Sequence, residues 1–168
     1  FTEIDASAAT SVTLNSTTVA NVIADLDVLA ATTVSFTGDA RTTLTTGTYT
    51  AVTSFDASAS TGGVTLTAAL AVGDNFLGGS GADILSSVGA TTQDITMGAG
   101  NDTVTMTAAA FGTSGTVDAG AGTDTLGMTA ANAVTASATT GATSFETTIS
   151  NFETLSLGAV GAVSTVNM

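Results

Sequence analysis

Three glycine-rich runs in the sequence each end in an aspartate. They share the pattern Gly-x-Gly-x-Asp-x-apolar and lie at 79–85, 98–104 and 120–126. Glycine lets the backbone bend until its carbonyl groups point at one place, and the aspartate adds a carboxylate oxygen. Oxygen ligands at a tight turn are those that Ca²⁺ prefers. The pattern therefore predicts a calcium-binding turn.

The spacing of the three aspartates separates a repeated site from a set of unrelated turns. Asp102 follows Asp83 by 19 residues, and Asp124 follows Asp102 by 22. A single Gly-x-Gly-x-Asp run is an ordinary β-turn, but regular recurrence is typical of a solenoid with one such turn per coil. Two turns stacked about 4.8 Å apart can share an ion that needs about six to eight oxygen ligands.

Short strands must position these turns. We predict strands at 83–86, 94–97, 103–107, 115–118 and 125–128. Threonine alternates with apolar residues in 103–107, so Val104 and Met106 should face the same side. Weaker turn signals halfway between the aspartates give each coil two strands and two turns. The expected fold class is all-β, a parallel β-solenoid with stacked glycine-rich turns.

The repeated turn resembles that of the RTX (repeats-in-toxin) proteins, whose nonapeptide Gly-Gly-x-Gly-x-Asp-x-apolar-x builds a parallel β-roll. Residues 78–86 match it at every defined position, whereas Met97 and Ala119 replace the first glycine in the other two copies. The resemblance implies carboxylate ligands at Asp83, Asp102 and Asp124. It implies carbonyl ligands at Gly79, Gly81, Gly98, Gly100, Gly120 and Gly122. Three turns on one edge would then form two shared calcium sites.

We accordingly divide the chain into three parts. Residues 73–128 are an RTX-like calcium-binding β-roll, residues 1–72 are Thr/Ala-rich β-solenoid coils, and residues 129–168 are further β-solenoid coils. The stretch 20–31 fits either a short helix or a strand. The Thr- and Ala-rich flanks resemble the long repeat regions of Gram-negative surface-layer proteins, so we expect a segment of a larger protein.

Composition excludes several classes of function. One basic residue, Arg41, stands against 14 acidic ones, and the net charge of −13 disfavours nucleic acid as a partner. No apolar run reaches the roughly 18 to 20 residues of a membrane span. The absence of cysteine rules out disulfides, so metal ions are the expected source of stability. Without histidine, lysine or cysteine, little acid–base or nucleophilic chemistry is available, and we expect no enzyme.

These observations predict a structural calcium-binding segment of a secreted protein on a bacterial cell surface, which folds and assembles on Ca²⁺. We expect self-association into a lattice or filament, as in a surface layer, and contact with cell-surface polysaccharide through other domains. The RTX resemblance implies type I secretion. An adhesin or an ice-binding module remains an alternative, because Thr65 and Thr67, like Thr103 and Thr105, could form a regular hydroxyl array. A polysaccharide-active enzyme with paired carboxylates is a further alternative.

Three other acidic residues follow weaker turn signals. Asp74, Asp94 and Asp118 lack the double-glycine spacing. We therefore expect them to be ordinary solvated carboxylates on the opposite edge of the solenoid, outside the calcium sites.

Overall fold

A computed structural model of the chain describes residues 1–70, 74–89, 92–108, 115–138 and 145–158. Within these ranges the regular secondary structure is almost entirely β-strand. The strands in chain order are β1 (Ile4–Asp5), β2 (Val12–Asn15), β3 (Asn21–Val28), β4 (Thr33–Gly38), β5 (Thr42–Tyr49), β6 (Ser54–Ser60), β7 (Val64–Leu66), β8 (Asn75–Leu77), β9 (Ile84–Val88), β10 (Asp94–Thr96), β11 (Thr103–Met106), β12 (Thr116–Asp118) and β13 (Thr125–Met128). Two helices, α1 (Ala130–Ala138) and α2 (Phe145–Thr148), precede β14 (Ile149–Ser150) and β15 (Thr154–Leu157).

Successive strands alternate between two parallel sheets. The odd-numbered strands form an eight-stranded sheet in the order β1-β3-β5-β7-β9-β11-β13-β15, and the even-numbered strands form a seven-stranded sheet from β14 to β2. Each strand therefore pairs with the strand one coil before it and the strand one coil after it. This is a parallel β-solenoid, so the predicted fold class is confirmed.

The core consists of columns of apolar side chains that stack along the solenoid axis. In the eight-stranded sheet, the register pairs Leu44, Leu66, Leu85, Val104, Leu126 and Leu155 into one continuous column. In the seven-stranded sheet, Phe55, Phe76, Ile95, Val117 and Ile149 form the facing column. All but Leu155 are buried, and each such side chain contributes about 1.5 to 3 kcal/mol of transfer free energy. Stacked apolar columns thus hold the coils in register.

Strand β11, strand β3 and helix α1 differ in how well their sequences predicted them. Val104 and Met106 are both buried, as the alternation in β11 predicted. The ambiguous stretch 20–31 contains a strand, β3, because Ile23, Leu26 and Val28 fill the interior of an early coil. Helix α1 was not predicted. Its sequence AANAVTASA is rich in alanine, the strongest helix former, and it lies within the longer excursion that connects β13 to β14.

Helices contribute little else to the architecture. Within the described ranges, no helix has the length and apolar character needed to cross a membrane. Strands β14 and β15 return the chain to the two sheets after the helical excursion, where they pair with β12 and β13 respectively.

Candidate metal centre

One position recurs at the edge of the eight-stranded sheet, where each coil enters its strand, and its side chains are buried from Thr42 to Asp124. The register places seven residues at this position, and we call them the edge column: Asn21, Thr42, Val64, Asp83, Asp102, Asp124 and Glu153. Its first three members are uncharged, and its last four are acidic. The three aspartates predicted from the glycine-rich turns therefore lie in one line on one edge.

The acidic members are joined by hydrogen bonds that run from coil to coil. The Asp83 amide N–H donates to Oδ1 of Asp102 at 2.7 Å, and the Asp102 amide donates to Oδ1 of Asp124 at 2.7 Å. The series continues at both ends, because Val64 donates to Oδ1 of Asp83 at 2.6 Å and Asp124 donates to Oε2 of Glu153 at 2.8 Å. Each carboxylate thus fixes the backbone of the preceding coil.

The second oxygen of each aspartate shows how the three differ. Oδ2 of Asp83 accepts the Gly79 amide N–H at 3.2 Å. Oδ2 of Asp102 and Oδ2 of Asp124 are buried and have no hydrogen-bond partner, and their residues are 1% and 0% exposed. A buried carboxylate oxygen without a donor is costly, so both positions call for a compensating positive charge.

Burial also perturbs the acid–base behaviour of the column. It raises the pKa of Asp83 to about 6, although the amides of Val64 and Gly79 and the charge of Arg41 act in the opposite direction. Burial likewise raises the pKa of Asp102 to about 6, and the negative charges of Asp83 and Asp124 on either side add to that increase. Both carboxyls would thus gain from a nearby cation.

The glycine-rich turns can stack only because they lack side chains. Gly100 and Gly120 have φ of +132° and +86°, a region that favours glycine, and a Cβ on Gly120 would collide with the carbonyl oxygen of Gly98. Stacking also uses two of the six carbonyl groups predicted as ligands. Gly79 accepts the Ala99 amide at 2.8 Å, and Gly98 accepts the Ala121 amide at 2.8 Å. A carbonyl oxygen has a second lone pair, so this pairing still permits ligation.

The uncharged end of the column satisfies its polar groups without any ion. The hydroxyls of Ser16 and Thr42 are buried and lie 2.6 Å apart, and Nδ2 of Asn21 donates to Oγ of Ser16 at 2.8 Å. Between the two ends lies Arg41, which donates from Nη1 to Oγ1 of Thr65 and from Nη2 to the carbonyl of Ala82, both at 2.8 Å.

Two members of this site, Arg41 and Glu153, were not predicted from the sequence. Glu153 lies 29 residues after Asp124, outside the repeat spacing. A signal was nevertheless present, because Glu153-Thr154-Leu155 repeats the acidic-Thr-apolar order of Asp124-Thr125-Leu126. Arg41 offered no signal beyond its being the sole basic residue.

The opposite edge agrees only in part with expectation. Asp94 is exposed and accepts the Thr116 hydroxyl at 3.0 Å, as a solvated carboxylate can. Asp118 is half-buried and accepts Nδ2 of Asn151 at 2.7 Å. The prediction was wrong for Asp74, which is buried with 4% of its surface exposed. Its place immediately before β8, beside the apolar interior, removes it from solvent.

Side chains alone do not enclose an ion at the column. In the described part of the chain, no three His, Cys, Asp or Glu side chains converge on one point. Backbone carbonyls of the stacked turns would have to complete any coordination sphere, which suits Ca²⁺ better than metals that require nitrogen or sulfur ligands. The donor set and the two unpaired carboxylate oxygens are compatible with that ion.

No protein-family model matches this sequence, and none of the curated proteins matches it either.

Proposed function

We propose that the chain is a structural, calcium-binding segment of a secreted protein on a bacterial cell surface, which folds and assembles when it binds Ca²⁺. The observation that carries this proposal is the pair of buried, unpaired oxygens, Oδ2 of Asp102 and Oδ2 of Asp124. The fold supports it, because a parallel β-solenoid is a repeating structural module.

The charge balance explains why a divalent cation would control folding. The column stacks four carboxylates in consecutive coils, and each aspartate is buried. In water the unfolded chain keeps these groups apart and hydrated, whereas folding brings them together and dehydrates the three aspartates, while Glu153 stays exposed. A bound divalent cation reverses that penalty, so its binding energy becomes folding energy.

Such coupling would suit export. Cytosolic calcium is too scarce to fill a weak site of the kind found in extracellular modules, whereas calcium outside the cell is sufficient. The acidic coils would stay loose during secretion, through the type I route that the RTX resemblance implies, and would become ordered at the cell surface. Assembly into a surface-layer lattice would follow, and with no catalytic role to preserve, the rigid solenoid would serve as a building element.

A calcium titration of the isolated chain tests the coupling. We expect β-sheet circular dichroism to rise cooperatively with Ca²⁺ and to fall again with chelator. Asp124→Asn should abolish the response, because it removes one of the two unpaired carboxylates. Asp94→Asn is the matched control, since Asp94 is exposed on the other sheet. A spectrum that ignores both calcium and chelator would refute the proposal.

Assembly is tested separately by electron microscopy of the chain with calcium and with chelator. Ordered two-dimensional arrays that require calcium would support the surface-layer role. Monodisperse particles in both conditions, together with a positive calcium titration, would restrict the function to calcium-dependent folding.

A second candidate, a module that binds ice or another flat periodic surface, is favoured by the outer face of the eight-stranded sheet. The register aligns Thr43 with Thr65 and Thr103 with Thr125 and Thr154, so hydroxyls recur along the axis. None of the six strands from β5 to β15 in this sheet carries a charged residue, although the guanidinium of Arg41 is bonded to Oγ1 of Thr65 in the array. Two residues interrupt the array: Ile84 pairs with Thr103, and Gly127 pairs with Thr105.

An ice-recrystallisation assay separates this candidate from a purely structural role. Thr103→Lys would introduce a bulky charge into the hydroxyl array and should remove any inhibition of recrystallisation. Thr96→Lys is the control, because Thr96 is exposed on the other sheet. Absence of inhibition by the unaltered chain would eliminate the candidate.

A further inference from the structure

The three aspartates of the edge column are not equivalent, although they occupy the same turn position. Both oxygens of Asp83 accept a backbone N–H, from Val64 and from Gly79. Asp102 and Asp124 each accept one N–H and retain one buried oxygen without a donor. The protein therefore supplies donors to the first aspartate that it does not supply to the other two.

The same aspartate lies close to the sole basic side chain. Arg41 immediately precedes Thr42 in the chain. Its side chain extends past the next coil, that of Val64, and its Nη2 donates to the carbonyl of Ala82 at 2.8 Å. Ala82 immediately precedes Asp83 in the chain, so the guanidinium reaches across two coils to the backbone of the first acidic turn. A second bond, to Oγ1 of Thr65 at 2.8 Å, holds the guanidinium at this position.

We propose that Arg41 is the internal counter-ion of Asp83, so that the edge column takes one divalent cation, between Asp102 and Asp124, and not the two expected from the sequence. The choice of a divalent cation rests on the function proposed above. The assignment of Arg41 to Asp83 rests on the bond from Arg41 to the carbonyl of Ala82, the residue before Asp83, and on the electrostatic attraction between the two charges.

Charge and donor saturation both disfavour a metal ion between Asp83 and Asp102. An ion there would approach an already positive guanidinium, and it would compete with two N–H donors for the oxygens of Asp83. Asp102 and Asp124 each offer one free carboxylate oxygen, and the hydrogen bonds of Arg41 reach neither residue. Within a single coil, the compensating charge thus changes from the Arg41 side chain, at Asp83, to a bound divalent cation, at Asp102 and Asp124.

Calcium binding to five variants, measured by isothermal titration calorimetry, tests the assignment. We expect Asp124→Asn and Asp102→Asn each to lose one bound ion per chain relative to the unaltered protein. Asp83→Asn should lose none, and Arg41→Gln should gain one, because removal of the guanidinium leaves Asp83 without its counter-ion. Arg41→Lys is the control, since it retains the charge and should leave the number of ions unchanged.

The outcomes distinguish this inference from the proposed function. Loss of an ion in Asp83→Asn as well as in Asp124→Asn would overturn the role of Arg41 while leaving calcium binding intact. Binding of no calcium by any variant would overturn the proposed function and the single cation site together.

The pairing of Arg41 with Asp83 has its own measurement, made in chelator. Arg41→Gln should lower the melting temperature by about 2 to 4 °C in the unaltered background. In the Asp83→Asn background the same substitution should have a smaller effect, because the partner charge is gone. Equal shifts in the two backgrounds would overturn the pairing, whatever the calcium result.

Discussion

The two ends of the edge column occupy the same position in the same solenoid, but their buried polar groups are satisfied in different ways. At the N-terminal end, Thr42 meets Ser16 at 2.6 Å, and these neutral hydroxyls satisfy each other. At the C-terminal end, Asp102 and Asp124 hold their neighbours' backbone through one oxygen and leave the other unpaired. Strand pairing and apolar columns are continuous through both ends.

This contrast teaches that stacking geometry alone does not determine whether a coil depends on ions. A neutral residue in the column gives a coil that is complete as folded. A carboxylate in the same position adds a strong hydrogen bond to the preceding coil, together with a buried charge that needs compensation. In one fold, a single side chain can therefore decide whether a coil is stable without ions or needs a cation.

The largest expected effect comes from removing calcium and following hydrogen exchange along the chain. With chelator, amides of β11 and β13 should exchange at least about tenfold faster, because the charged turns of Asp102 and Asp124 repel one another. Amides of β3 and β5 should change little, since the neutral end needs no ion. A uniform increase along the whole chain would show that the two ends melt as one unit and would contradict the contrast.

The effect of Asp102→Asn on the free energy of unfolding should have opposite signs with and without calcium. Asp102→Asn should cost about 3 kcal/mol of unfolding free energy with calcium present, because a ligand is lost. In chelator it should add about 1 kcal/mol, because Asp83 and Asp124 lose a negative neighbour. Chemical denaturation in both conditions measures the two values. Asp94→Asn is the control, and an effect of one sign in both conditions would exclude the proposed repulsion.

Acid should stabilise the calcium-free protein at the acidic end. The pKa values of Asp83 and Asp102 rise from 3.8 to about 6 on folding. A raised carboxyl pKa means stability that is present below the unfolded value and is lost as pH rises through the folded value. As the pH rises from about 4 to about 6, ionisation of each group should therefore lower the free energy of unfolding by about 2 to 3 kcal/mol.

Thermal melts in chelator at about pH 5 and about pH 7.5 measure this dependence. Asp102→Asn should flatten the profile, whereas Asp94→Asn should leave it unchanged. A melting temperature that rises steadily with pH over this window would contradict a net cost of burying Asp83 and Asp102 as charged groups.

The smallest effect belongs to the neutral end. Thr42→Val retains the shape of the side chain but removes the hydroxyl that meets Ser16, which should cost about 1 kcal/mol. The cost should be the same with calcium and with chelator, as measured by urea denaturation. Thr43→Val, on the outer face of the same strand, is the control and should change stability by less than about 0.5 kcal/mol. A cost that depends on calcium would link the two ends.

Much of this architecture could be predicted from residue patterns. The alternation in 103–107 predicted β11 and its buried side chains, and the regular spacing of Asp83, Asp102 and Asp124 predicted that they would align. Helix α1 could not be predicted in the same way, because the 32-residue step from Val117 to Ile149 interrupts the repeat. Asp74 was misjudged, because its burial depends on the coils stacked around it.

The sequence by itself determined that the chain forms parallel coils and that acidic turns recur on one edge, because strand alternation and repeat spacing are local properties. Only the tertiary structure decided which carboxylate oxygens find donors. Oδ2 of Asp83 meets an amide and the turn of Asp83 meets Arg41, whereas Oδ2 of Asp102 and of Asp124 meet neither. The physical reason is that hydrogen-bond saturation and charge compensation depend on residues from other coils, which only stacking brings within reach.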